Sequence, residues 1–381
     1  MAAWKQAGKR GIIPVMIDRF PPSTRYQGSK RKLIPWLDEC LGDKVATSVL
    51  DLMSGTASVS YHFKANGCRV ACNDYLHCNY LTAVALVENS SVVLAPADID
   101  FLLEEPEDDR NYRVIREAFP GFFFTDSENA WIDKRIARID SLATLYAGST
   151  LRYKRALAFH ALSQAALMKR PFNLFHRKNL HLRTNAVQRS FGNKTTWDTP
   201  CDVLFRRLCD EANSAVFSND MRNTAHNEPA EKLDLPDTFD LVYLDPPYFA
   251  EGRERARSDY RFLYHFLEGM ARYRDWPKLI DWNDMRHALR RDYNEPSPYR
   301  APPSELGGVL LAWFRLILSR WKDSILVMSY KSPGVPTRQE LENLVREFKP
   351  TVTVHESPYT YALSKRNGQP RENIELLIVG E

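Results

Sequence analysis

Short apolar runs that end on an acidic residue recur along the chain, each followed by a turn and a helical period. Thr47-Ser48-Val49-Leu50-Asp51-Leu52-Met53 reads as a buried strand, Ser54 to Ser58 as a small-residue turn, and Val59 to Ala65 as a helix. Arg69 to Cys72 predicts a second strand that runs into Asn73-Asp74-Tyr75. Ala215 to Met221 predicts another, ending at Asp220, and Leu241 to Leu244 one that ends at Asp245. Ser324 to Met328 continues the series, and Val352 to His355 with Ile374 to Val379 reads as a closing antiparallel pair. Between them, Leu33, Trp36 and Leu37 fall at helical spacing with Pro35 in the first turn. Arg152 to Lys169 predicts a helix with the apolar face Leu157, Ala161, Ala165 and Met168. Helices are also expected over Tyr260 to Tyr273, from a Ser304 cap through Trp313 to Trp321, and after the capping box Thr337-Arg338-Gln339-Glu340. Strands alternating with helices make the fold class α/β, a doubly wound Rossmann-like sheet.

That rhythm breaks between about residues 96 and 215, and charge marks the break. Asp98 to Asp140 is acidic, whereas the 57 residues from Ser141 to Trp197 contain no Asp or Glu, against about seven expected at the chain average. The same window holds ten Lys or Arg, with Phe172, Phe175, Phe191 and Trp197 interleaved. A solvated basic face is the plain reading; a surface for a polyanion is the sharper one. Lys178 and Arg183, in the irregular part, are the preferred nucleic-acid contacts. The chain as a whole is ordinary for a globular protein: 381 residues, 44% apolar, 26% charged, net charge +4. Its six cysteines form no Cys-x-x-Cys pair, so free thiols in a reducing cytoplasm and no metal are expected. The first ten residues carry Lys5, Lys9 and Arg10 without an apolar stretch, and no run is long enough for a membrane span, so neither a signal peptide nor a membrane is expected.

Candidate chemistry sits at the predicted strand ends. Two prolines terminate the strand before Asp245, since neither donates to a ladder, so Asp245-Pro246-Pro247-Tyr248 combines an acceptor-only side chain, carbonyls and a flat ring. Such a group can hold a planar base that carries an amino group. The turn after Asp51 (Ser54, Gly55, Thr56) lets backbone N–H groups approach a ligand, and Asp74, 19 positions after Gly55, suits a ribose diol. Near the amino end, Tyr26-Gln27-Gly28-Ser29-Lys30 places a lysine at a helix start, where it does not help the helix dipole. It is either a solvated lysine or a group facing a ligand.

Asp-Pro-Pro-Tyr resembles the catalytic motif of the amino-group DNA methyltransferases, specifically the Dam-like N6-adenine branch. Tyr26-x-Gly28-x-Lys30 resembles its amino-end motif, and Asp51 to Ala57 resembles its cofactor motif, with Met53 and Ala57 where Phe and a second Gly are usual. The resemblance implies S-adenosyl-L-methionine as cofactor, bound by Tyr26, Lys30, Asp51, Ser54, Gly55, Thr56 and Asp74, with Asp220 near its adenine. It implies catalysis by Asp245, Pro246, Pro247 and Tyr248 on an adenine flipped out of double-stranded DNA, with Tyr248 stacking on the base. It further implies a cofactor half over 1–95, an inserted, mainly helical or irregular DNA-recognition domain over 96–214, and a catalytic half over 215–381. A separately encoded restriction endonuclease as companion, and action as a monomer, are compatible with it. A methyltransferase for RNA or cytosine, or a DNA-binding protein that keeps the fold without the activity, are the alternatives. Residues 249–257, charged and Gly-containing, are expected to form a mobile loop over the site.

Overall fold

Val49, Leu50, Val70, Val242 and Leu244 are all fully buried, as strands covered on both faces must be. The computed structural model describes residues 19–44, 46–185, 194–249, 259–290, 298, 301–359, 365–366, 369–370 and 373–381. Among them the strands are β1 (Ser48–Asp51), β2 (Arg69–Asn73), β3 (Thr224–His226), β4 (Leu241–Leu244), β5 (Ile325–Ser332), β6 (Val352–Tyr359), β7 (Lys365–Arg366), β8 (Gln369–Pro370) and β9 (Asn373–Gly380). Seven form one sheet in the order β3-β2-β1-β4-β5-β9-β6, and β7 with β8 makes a separate ribbon. The first five pair in parallel, and β9 is inserted antiparallel between β5 and β6. The chain therefore runs outward from β1 to β3, then returns to lay β4 beside β1. Such a reversal opens a crevice at the carboxyl ends of the two central strands.

Alternate side chains feed two cores. Val49, Val70, Tyr243, Val327, Leu377 and Val379 pack on one face with α1 (Ile34–Leu41) and α2 (Ser58–Ala65). Leu50, Val242, Leu244, Leu326, Leu376 and Ile378 pack on the other with the helices Leu306–Arg320 and Arg338–Arg346. The α/β expectation is met as a seven-stranded, mostly parallel sheet with helices packed on both faces.

Between β2 and β3 the chain inserts α3 (His77–Ala83) and a helical stretch that includes Pro96–Leu103, Asp126–Ser141, Gly148–Lys169 and Cys201–Ala215. Leu102, Ile132, Leu157, Leu162 and Phe205 from these helices join the same apolar cluster as Val49 and Val70. The boundary expected at 95/96 is thus no gap in packing. The charge asymmetry has a structural explanation as well. Arg152 bonds Glu88 at 2.9 Å, Lys154 pairs with Asp98, Arg155 approaches Asp140 at 3.6 Å, and Arg183 forks onto Glu128 at 2.6 and 3.0 Å. Lys169 donates to the carbonyls of Trp197 and Thr199, and Arg170, 1% exposed, to those of Leu174 and Arg177. Much of the basic window neutralises carboxylates that precede it in the chain, and among the described residues Arg177, Lys178 and Lys194, the last paired with Asp198, are exposed cations within it.

Three local expectations change. Residues 216–221 form a loop: Asn219 donates its amide to the carbonyls of Lys64 and Cys68, Asp220 turns with φ +59°, and the strand begins at Thr224. Tyr260–Leu263 and His265–Ala271 are two short helices separated at Tyr264, rather than one. Glu305, not Ser304, stands at the start of Leu306–Arg320. The Thr337 capping box forms as expected, with the hydroxyl accepting from Glu340 N. Most of residues 249–257, and Phe191, lie outside the described residues.

Candidate functional site

The ends of β1, β2 and β4 supply three acids to one pocket. β1 delivers Asp51, whose partner in β4 is Tyr243, so Asp245 follows just beyond it across the switch point. β2 delivers Asp74. After β1 the backbone turns through two left-handed residues, Gly55 at φ +52° and Ala57 at φ +57°, and enters α2. Asp74 organises that turn: its carboxylate accepts from Gly55 N at 2.8 Å, Leu76 N at 2.8 Å and Asn79 Nδ2 at 3.2 Å.

Tyr26, Lys30, Asp51, Ser54, Gly55, Thr56, Asp74, Asp245, Pro246, Pro247 and Tyr248 all line this pocket. The amino-end segment reaches it by stacking. Tyr26 lies parallel to Tyr264 with centroids 4.1 Å apart, and its hydroxyl accepts from Asn79 at 2.9 Å. Gly28 takes φ +82° where a Cβ would meet the Tyr260 hydroxyl at 2.5 Å, so this close approach requires glycine.

Lys30 is not a solvated lysine. It is 7% exposed, donates to both Asp245 oxygens at 2.7 Å, and lies 3.5 Å from Glu375. Burial disfavours its charge, but the Asp245 and Glu375 carboxylates outweigh that and hold its pKa above the ordinary lysine value. Asp245 is raised by burial and by Glu375, with Lys30 and Tyr248 opposing. Tyr248 directs its hydroxyl at Asp245 (2.9 Å) and Glu375 (2.6 Å), and its ring meets Tyr330 edge-on at 5.1 Å. Tyr330 is fully buried and bonded to the Val335 carbonyl, so it backs Tyr248 as part of the core.

Asp51 is 1% exposed; Ser60 donates to one oxygen at 2.6 Å, and the other has no hydrogen-bond partner of good geometry among the described residues. Burial, reinforced by Asp245 and Asp74, pushes its pKa up to about 7, and burial lifts Asp74 to about 6. Ser54 Oγ and Trp313 Nε1, from residues that also line the pocket, are buried without a hydrogen-bond partner among the described residues. A pocket with three acids and orphaned polar atoms fits a ligand that carries positive charge, a ribose and hydrogen-bonding groups, as S-adenosylmethionine does.

Two expected residues fall elsewhere. Asp220 is exposed and precedes β3, at the opposite edge of the sheet from the carboxyl ends, so it cannot meet a ligand in this pocket. At the carboxyl end of β3 stands Asn227, which donates to the Asp74 and Tyr75 carbonyls. Arg183 is 7% exposed at its side chain and committed to Glu128, a structural ion pair rather than a free phosphate contact. Lys178 is exposed, its Nζ 3.4 Å from the centre of the Phe122 ring.

Residues 26–272 match the model of the D12 class N6 adenine-specific DNA methyltransferase family. The chain belongs to this family. As an adenine-specific DNA methyltransferase it is similar to a Type II methyltransferase, M2.HphI, of Haemophilus parahaemolyticus, at 27% identity over 94% of this chain and 98% of that protein. It is also similar to modification methylase StsI of Streptococcus sanguinis (25% identity, 93% of this chain) and Type II methyltransferase M.FokI of Planomicrobium okeanokoites (24%, 91%). It spans 51% of the length of each of the latter two. Among the described residues no helix is long and apolar enough to cross a membrane, and no cluster suited to a metal ion occurs.

Sequence reasoning missed Glu375, Tyr260, Tyr264 and Trp313. The signal for Glu375 was present: a carboxylate in the otherwise apolar row Glu375, Leu377, Val379 of a closing strand. The tyrosines and Trp313 carried none, because helical aromatics read as core.

Proposed function

We propose that this enzyme is the modification methylase of a restriction–modification system, transferring a methyl group from S-adenosyl-L-methionine to the N6 amino group of an adenine flipped out of a specific site in duplex DNA. The observation that carries the reading is a pocket at the β1/β4 switch point, where Asp245 and Pro246 border a space also lined by Asp51 and Asp74. The relatives' names, Type II methyltransferase and modification methylase, support the biological setting.

Bound in the pocket, S-adenosylmethionine supplies an electrophilic methyl group on a sulfonium. Asp74 holds the ribose hydroxyls, and the open oxygen of Asp51 with Ser54 holds the charged amino-acid end. The adenine amino nitrogen is a weak nucleophile, because its lone pair is delocalised into the ring. Asp245 accepts one of its hydrogens and the Pro246 carbonyl the other, which draws the nitrogen toward tetrahedral geometry and aligns it for attack. The nitrogen must shed one proton on methylation, and Asp245, 18% exposed at its side chain, takes that proton and passes it toward solvent. A base inside a duplex cannot reach a pocket so placed, so it must leave the stack, and Tyr248 forms the wall it meets. Within 96–214, Lys178 is the preferred DNA contact.

The test is to incubate the purified chain with duplex DNA and S-adenosylmethionine and digest the DNA to nucleosides for mass spectrometry. N6-methyladenosine at one sequence context supports the reading; methylcytosine, or methylation of RNA alone, refutes it.

A further inference from the structure

Glu375 is the one buried carboxylate of the site that neither the sequence motifs nor the chemistry above employs. It sits on β9 with no measurable exposure, 2.6 Å from the Tyr248 hydroxyl and 3.5 Å from Lys30 Nζ. Burying a carboxylate is costly unless its partners compensate, and a site built on Asp245 and Lys30 alone would already be neutral. Glu375 adds a second negative charge to it.

The consequence lies in how hydrogens are shared. Tyr248 has one hydroxyl hydrogen and two carboxylates in reach, at 2.6 Å for Glu375 and 2.9 Å for Asp245. Lys30 already donates to both Asp245 oxygens at 2.7 Å, and a hydrogen given to Asp245 adds a second donor at Oδ1. Given to Glu375, it leaves that oxygen open to a hydrogen of an incoming amino group. We propose that Glu375 is a positioning residue for methyl transfer: it takes the Tyr248 hydroxyl and shares Lys30, so that Asp245 keeps an acceptor for the adenine amino group. This rests on the base-binding role of Asp245 proposed above. Among the described residues, the charged and titratable groups that face Glu375 include Lys30 from the amino-end segment, Asp245 and Tyr248 beyond β4, Tyr243 on β4 and Tyr260, with Lys331 opposite it in the β5–β9 register. Its negative charge also raises the proton affinity of Asp245, which must be ionised to accept.

Glu375→Gln keeps the shape and removes the charge. We expect kcat to fall at least tenfold, with affinity for S-adenosylmethionine and KM for DNA within threefold of wild type. The acid limb of the kcat profile should move to lower pH, because Asp245 loses a neighbouring negative charge. Tyr248→Phe removes the competing hydroxyl, so adding Glu375→Gln to it should cost much less than in the wild-type background. A purely structural role would give the same loss in both backgrounds and leave the acid limb in place. Near-normal kcat in Glu375→Gln, or an unmoved limb, overturns the inference. Should Glu375→Gln not fold, Glu375→Asp is the second variant: its shorter side chain draws the carboxylate back from the Tyr248 hydroxyl, and near-normal kcat there overturns the inference equally. Failure of the wild-type chain to methylate adenine would instead overturn the functional reading on which it rests.

Discussion

In the proposed binding mode, the Asp51 oxygen that meets the charged end of the cofactor makes cofactor affinity depend on pH. Burial and the neighbouring Asp245 and Asp74 hold the Asp51 pKa at about 7. The folded value lies above the ordinary carboxylate range, so this group alone favours folding at low pH, and that contribution is lost as pH rises through about 7. A cation binding beside it acts in the opposite sense, since it requires the ionised form. With a pKa near 7, the ionised fraction is roughly one-tenth at pH 6 and nine-tenths at pH 8. Apparent affinity scales with the competent fraction, so S-adenosylmethionine should bind about tenfold more tightly at pH 8, or roughly 1.4 kcal/mol. Asp74, near 6, adds about a further twofold. Binding at pH 6 should also release about 1.4 protons, roughly 0.9 from Asp51 and about 0.5 from Asp74, and at pH 8 very little. Titration calorimetry in buffers of different ionisation enthalpy reads both quantities. Asp51→Asn should leave only the twofold contribution of Asp74 and abolish most of the proton release. Affinity that is flat from pH 6 to pH 8, with no proton released, would show that no cationic group meets Asp51.

Three further outcomes follow from individual residues. Asp74→Ala removes a carboxylate that orders the Gly55 turn and faces the pocket; charge-assisted hydrogen bonds contribute about 1.5–3 kcal/mol each, so S-adenosylmethionine affinity should drop at least tenfold by calorimetry, and unchanged affinity would place the cofactor elsewhere. Lys178→Ala should lower the slope of log affinity for duplex DNA against log salt by about one, the share of a single phosphate contact, whereas superimposable curves would leave Lys178 as a solvated cation on Phe122. Arg183→Ala should leave that slope unchanged but destabilise the fold by on the order of 3 kcal/mol, because it strands the half-buried Glu128 carboxylate; denaturant unfolding measures this, and a neutral result would mean Lys169 and Thr125 compensate fully.

The strands were legible where their pattern reports burial. Val49-Leu50 and Val242-Tyr243-Leu244 are apolar throughout because parallel strands are covered on both faces, and each ends at an acid because the chain there leaves the core for the pocket. The Asp-Pro-Pro-Tyr and Tyr-x-Gly-x-Lys segments were legible for the same reason: proline and glycine encode backbone geometry locally. Residues 215–221 failed because an apolar pair beside a polar run reads alike as a strand end or as a loop pinned by side-chain amides. Only the partners of Asn219, the carbonyls of Lys64 and Cys68, distinguish them, and these lie more than 150 residues away. The basic window misled for a related reason. Composition records that Arg183 is a cation, but not that Glu128, 55 residues earlier, sits 2.6 Å from it. Lys30 shows the converse. Its position at a helix start was visible, but its commitment to Asp245, 215 residues later, belongs to the tertiary fold.

The most direct test of the account concerns Asp245, where the chemistry converges. Tritiated-methyl incorporation into duplex DNA, compared between wild type and Asp245→Ala with S-adenosylmethionine binding measured on both, separates catalysis from cofactor capture. The account predicts incorporation for wild type, none above background for the variant, and retention of a folded chain that still binds cofactor. Near-normal incorporation by Asp245→Ala would contradict it.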